Sequence, residues 1–205
     1  MTGQPEILTI GHSVHDITDF IALLRRHDVT AIADVRSQPF SRYAPQFNKA
    51  DLSTALRQAG VQYVFLGKEL GARSNDPNCY IDGRVQYGRL AETDSFKVGV
   101  ERVFTGAQTE RIALMCTEKD PLDCHRTVLV AARLEARGAQ VSHIREDGST
   151  ELHDQAMDRL MHQLGMQPSL FRTRDEQVSE ALAAQEARIA YVDVELAAMS
   201  QRAAS

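Results

Sequence analysis

The chain lacks the cysteines for a disulfide framework: its 205 residues carry three, an odd and low number that fits a reducing compartment. It also lacks any apolar run near the roughly 18 residues that a membrane span needs, and its opening MTGQPE has no signal-peptide pattern. Both absences predict a soluble, cytoplasmic protein with no membrane partner. Positive charge is not in excess either. A net charge of −5 and a pI near 5.8 provide no electrostatic footprint for nonspecific nucleic-acid binding, so nucleic acid is a disfavoured partner. What is present is an ordinary globular balance, 25% charged and 43% hydrophobic, which excludes wholesale disorder. The length suffices for one well-buried domain and an appendage.

The most informative stretch is RIALMCTEKDPLDCHR, from Arg111 to Arg126. Ile112 to Met115 form an unbroken apolar run, the pattern of a strand buried on both faces of a parallel sheet. Cys116 ends that strand. Glu118, Asp120 and Asp123 follow, and then Cys124, His125 and Arg126 open a helical pattern through Leu134. Asp120 before Pro121, or Asp123 itself, is a helix cap, and either choice puts Cys124 in the first helical turn. The positive end of the helix dipole favours a thiolate there, below the ordinary thiol pKa of about 8.5. The plainer alternative, that Cys116 and Cys124 only fill space, stands beside it.

Read in order, the chain alternates strand and helix about five times. Strands are expected at Ile7 to Ile10, Ala31 to Val35, Val61 to Leu66, Ile112 to Met115 and Val141 to Ile144. Helices follow at Ile17 to Leu24, Lys49 to Ala59, Phe96 to Phe104, after Cys124, and at Ala156 to Leu164. Ser13 with Asp16 resembles a capping box, and Asp147-Gly148 signals a hairpin pairing Thr150 to Leu152. The fold class is therefore α/β: a mostly parallel sheet of about five strands with helices on both faces. Ligands of such sheets lie beyond the carboxyl ends of the strands, where His12, Asp34, Arg36, Gly67 and Cys116 through Arg126 all fall.

Several loops add candidates. In SQPFSRYAPQFN, Arg42, Tyr43 and Phe47 offer stacking and phosphate contacts, or else fold the loop onto the domain. The connection from Gly67 to Thr93 is long enough to read as functional or mobile. In it Gly67 and Gly71 invite close backbone approach to a ligand, Arg73 and Arg84 are candidate anion contacts, and Cys79 reads as a surface thiol. Past Pro168, Val178, Leu182, Gln185, Ile189, Val192, Leu196 and Met199 alternate by four and three, the seam of a coiled coil with Gln185 fixing register. Residues 1–165 thus read as the α/β domain. Residues 166–205 read as a long C-terminal helix that either forms a homodimer or docks on its own domain.

The motifs TIGHS, DVRSQPFSR, PQFN, LGKELGAR and LMCTEKDPLDCHR, in this order and followed by HIREDGSTELH, resemble the bacterial domain-of-unknown-function 488 family over about residues 6 to 165. Ala72 stands where many members carry a second glycine. The resemblance implies a cytosolic α/β fold and no assigned reaction. Three functions remain open. One is a cysteine-dependent transferase or hydrolase for a small anionic or nucleotide-like substrate. Cys124 would be its nucleophile, His125 or His12 its base, and Asp34, Arg36, Arg42, Tyr43, Glu118 and Arg126 its substrate contacts. Cys124 and Arg126 are too close in sequence for a Cys-x₅-Arg phosphatase loop. The second is a zinc or iron site of Cys116, Cys124 and His125 with Asp34, Glu118 or His12, although Cys-x₇-Cys-His is not a standard zinc spacing. The third is a non-catalytic module that binds a nucleotide or modified base through Arg42, Tyr43 and Phe47.

Overall fold

The computed structural model describes residues 4–167 and 169–203; Met1 to Gly3 of the opening stretch lie outside the described residues. Strand β1 (Glu6–Gly11) leads through α1 (Ile17–Arg26) to β2 (Ala31–Asp34), α2 (Lys49–Gln58) and β3 (Gln62–Phe65). Then come α3 (Gly67–Leu70), a small hairpin of β4 (Tyr80–Ile81) and β5 (Arg84–Val85), α4 (Tyr87–Glu92), α5 (Asp94–Gly106) and β6 (Ile112–Cys116). A π-helical turn, Arg126–Ala131, runs on as α6 (Ala132–Ala136). The chain closes with β7 (Gln140–Ile144), β8 (Thr150–Leu152), α7 (His153–Gln163), α8 (Arg174–Ile189) and α9 (Val194–Ala203).

Six strands form one sheet in the order β3-β2-β6-β1-β7-β8, parallel throughout except for β8, which pairs back on β7 through the Asp147-Gly148 turn. The middle strand β6 is buried along its whole length, so its alternating side chains feed two cores. Ala113 and Met115 pack with Phe20 and Leu24 of α1 and Leu52 and Leu56 of α2. Ile112, Leu114 and Cys116 point the other way, into a core with Val103 of α5 and Leu134 of α6. Each fully buried aliphatic or aromatic side chain contributes about 1.5–3 kcal/mol. The helix after β1 and the helix after β6 therefore cover opposite faces, and their loops part above two adjacent strands. Such a divergence is where open α/β sheets place their sites.

Four expectations need correction. Ser13 does not cap α1; it adopts a left-handed φ of 46°, and the helix begins after Asp16. The connection from Gly67 to Thr93 is ordered into α3, the β4/β5 hairpin and α4, and this cover buries Cys79 to 1% exposure in the main core, so it is no surface thiol. Gly67 and Gly71 do permit close approach, but to the protein itself: a Cβ on Gly67 would strike the Arg36 carbonyl, and one on Gly71 the Ser37 side chain.

The tail, finally, is two helices. α8 starts at a Thr173/Glu176 capping box, ends at Ile189, and is followed by a short bridge of Val192 to Arg84 before α9. Its seam faces the chain's own surface: Ala181, Leu182 and Val178 pack with Leu122 and Leu160. Buried Gln185, expected to set register between paired helices, donates from Nε2 to the Leu122 carbonyl at 2.9 Å. No helix among the described residues is long and apolar enough to cross a membrane.

Candidate active site

The loop after β6 folds back over β1 and returns to the sheet edge as a 3-10 turn, Pro121–Asp123. Asp120 caps that turn by accepting from the Leu122 N–H at 2.9 Å. Gly11 makes the fold-back possible, because a Cβ there would run into the Glu118 carbonyl. Arg126, wholly buried, fastens the loop from beneath: Nη1 donates to the Glu118 carbonyl at 2.8 Å and Nη2 toward that of Lys119 at 3.4 Å. Cys124 is not within the first helical turn. It is extended (φ −137°, ψ 139°) just before it, its carbonyl accepts from Thr127 and Val128, and its Sγ accepts from the Arg126 N–H at 3.4 Å. It caps the π turn with sulfur, a geometry that still presents backbone donors to a thiolate.

This return brings Cys124 Sγ, Cys116 Sγ and His125 Nδ1 within 4.8 Å of one another. His125 Nδ1 stands 3.8 Å from each sulfur, and its Nε2 donates to the Val35 carbonyl at 3.0 Å. Burial pushes the Cys124 thiol up, but hydrogen bonding with Cys116 and the charges of Arg126 and His125 outweigh it and hold Cys124 well below the usual thiol range. Cys116, hydrogen-bonded to Cys124 and buried, moves the opposite way. His125 is raised: burial lowers it, and the neighbouring Cys124 charge more than compensates. Glu118 is raised by burial and then by that same charge, and its Oε2 is buried without a hydrogen-bond partner.

The cluster forms one wall of a cavity of about 400 Å³. Arg36, Ser37 and Gln38 line it from the β2 loop, Arg73 from beyond α3, Tyr87 from α4, and Ile189 and Tyr191 from the tail. The Arg73 guanidinium lies 4.5 Å over the Tyr191 ring and donates to Gln38 at 3.1 Å. Tyr87 is raised by burial and by the Cys124 charge, so it stays a neutral phenol.

The other expected residues form a separate group on the opposite face of the sheet, because alternation along β1 and β2 turns His12 and Asp34 toward α1 and α2. Asp34 accepts three bonds from Arg36, from the guanidinium at 2.9 and 2.7 Å and from the backbone N–H at 3.1 Å, and a fourth from Tyr63 OH at 2.7 Å. Arg36 also donates to the Phe47 carbonyl at 2.9 Å and to His12 Nε2 at 3.1 Å, while His12 Nδ1 donates to the Ser13 carbonyl. His12 stacks on Phe47 at 4.3 Å, and burial with the Arg36 charge pushes its pKa down to about 4. Both its nitrogens are spoken for, so it has no lone pair to act as a base for Cys124. Arg42 is exposed and Tyr43 is 90% exposed; neither lines the cavity, and Phe47 is core. Arg84 is taken by the Ala187 carbonyl. Sequence reasoning missed Tyr87, Tyr191 and Ile189. Two of these come from a tail whose spacing signalled a helix, paired or docked, and no site residue.

A family model matches residues 16–133. The chain belongs to the DUF488 family, a domain of unknown function. The matched span holds Asp34, Arg36, Glu118, both paired cysteines, His125 and Arg126, so the cluster lies inside the DUF488 region, whereas Ile189 and Tyr191 of the cavity lie outside it. No curated protein and no solved structure matches this DUF488 chain.

Proposed function

We propose that the cavity beside Cys124 is the active site of an enzyme, a transferase or hydrolase, that takes a small anionic or nucleotide-like substrate. One observation carries the reading: two thiols, an oriented imidazole and a carboxyl group with one buried oxygen unpaired converge on the wall of a cavity of about 400 Å³ that also holds Arg73. That volume suits a small molecule. Among the rim arginines, Arg36 is held by protein acceptors and Arg126, bonded to loop carbonyls, does not line the cavity, which leaves Arg73 as the group to meet an anion. Tyr87 and Tyr191 supply flat walls for a ring.

Thermal-shift measurements with nucleoside monophosphates, inorganic phosphate and dicarboxylates test this directly. At least one class should raise Tm, with apparent affinity weakened tenfold or more in Arg73→Gln, and any turnover should vanish in Cys124→Ser. Silence across all three classes, or binding indifferent to both substitutions, would overturn the proposal.

A further inference from the structure

We infer that Cys116, Cys124 and His125 are the three protein ligands of a zinc ion whose fourth position opens into the cavity. The inference rests on the proposed active site for its location only.

Its first support is geometric. Zinc binds thiolate at about 2.3 Å and imidazole at about 2.0–2.1 Å, so tetrahedral angles put nitrogen about 3.6 Å from each sulfur. The imidazole nitrogen here stands 3.8 Å from both sulfurs, equidistant from the pair. Equal reach to both sulfurs, close to the separation that two thiolates and an imidazole keep around one zinc, suits a shared central atom.

The second support is the outer partner of the histidine. A ligating imidazole normally donates its far N–H to a carbonyl or carboxylate, which sets the tautomer and aims the other lone pair at the metal. His125 does this through Nε2 to the Val35 carbonyl at 3.0 Å, leaving Nδ1 directed between the sulfurs. Charge balance agrees. Cys116 and Cys124 are 3% and 1% exposed, and an uncompensated buried anion is costly. Zn²⁺ displaces both thiol protons to solvent, and two thiolates with a neutral imidazole then leave the site with no net charge. On the cavity side, Glu118 brings a carboxyl oxygen that has no other partner. Three ligands with an open fourth side is the pattern of catalytic rather than structural zinc. The unusual Cys-x₇-Cys-His spacing follows from the fold, since one ligand ends β6 and the other two immediately precede the π turn after the loop has returned.

Protein purified without chelators should contain about one zinc per chain by plasma mass spectrometry. Competition with a chromophoric chelator should show at least a tenfold loss of affinity in Cys116→Ser, Cys124→Ser and His125→Ala, and none in Cys79→Ser. Cobalt(II) substitution should produce thiolate-to-cobalt charge transfer, weaker in Cys116→Ser and absent in the Cys116→Ser/Cys124→Ser double variant. Should a variant fail to fold, X-ray absorption on the wild-type zinc protein decides, with two sulfurs and one nitrogen expected around the metal. Wild-type protein that takes up zinc no more tightly than the Cys116→Ser/Cys124→Ser double variant overturns the inference. Stoichiometric zinc without any cavity ligand would uphold this site and remove the proposed substrate reading. Ligand binding by a wild-type protein that cannot hold zinc would do the reverse.

Discussion

Among the described residues Arg126 is the largest wholly buried side chain, and no carboxylate meets its guanidinium; Nη1 and Nη2 hold two backbone carbonyls of the loop that covers β1, and Nε is buried without a partner. Arg36 is spent likewise, on Asp34, Phe47 and His12. Two cations that looked like anion contacts are thus internal struts. Asp34→Ala should cost about 3–5 kcal/mol in urea unfolding, because it strands a buried Arg36 and removes the acceptor of Tyr63. Gly11→Ala should cost about 3 kcal/mol or more, since the Glu118 carbonyl occupies the space of the added methyl. An equal loss in an exposed control such as Val14→Ala would contradict the close-approach argument. At this scale the residue types were legible and their partners were not. The sequence put Asp34 and Arg36 side by side without saying whether they serve each other or a ligand, and three acceptors within 3.1 Å of one guanidinium decide it.

At the scale of elements, two irregular pieces position the thiols. The 3-10 turn Pro121–Asp123 ends the loop, and the π turn Arg126–Ala131, a distortion common at functional sites, begins the helix behind Cys124. Buttressing the first is α8, through the Gln185 bond to Leu122, while its Glu186 carboxylate holds the start of α4 by accepting from the Tyr87 N–H at 2.6 Å. Gln185→Leu should therefore lower stability by about 1–3 kcal/mol, the cost of a buried acceptor left unpaired. Val194→Ser, on an exposed position of α9, should stay within about 0.5 kcal/mol. Removing the tail before Asp175 should lower Tm by several degrees and abolish ligand protection, with light scattering reporting subunit mass. An unchanged Tm would mean that α8 does not support the site. Strand and helix positions were readable from periodicity, as β6 and the β7/β8 hairpin illustrate. The docking of the tail was not, because a four-three seam looks the same whether its partner is a second chain or the chain's own surface.

Across the whole molecule, buried histidines tie stability to pH. Burial pushes His153 down to about 4, and burial with the Arg36 charge does the same to His12; both ionise near 6.5 when exposed. Between these values the unfolded chain takes up protons that the folded chain refuses. The contribution of these two histidines is thus full above about pH 6.5 and falls as pH drops toward 4, by up to about 3 kcal/mol for each. Asp120 and Glu151 extend the loss to lower pH. Burial pushes both up, but the Arg159 contacts hold them below the usual carboxylate range, and that stabilisation disappears as they protonate. Urea midpoints at pH 7.5, 6 and 5 should fall in that order, and His153→Asn, which preserves a partner for His143, should flatten the slope. The sequence by itself determined the α/β class, the parallel strands, the edge on which the polar residues gather and the DUF488 motifs, because periodicity and local turn chemistry act over short stretches. Which of those polar residues meet was decided only by tertiary structure. Alternation along β1 and β2 sends His12 and Asp34 to one face of the sheet, while the loop over Gly11 carries Cys124 and His125 to Cys116 on the other.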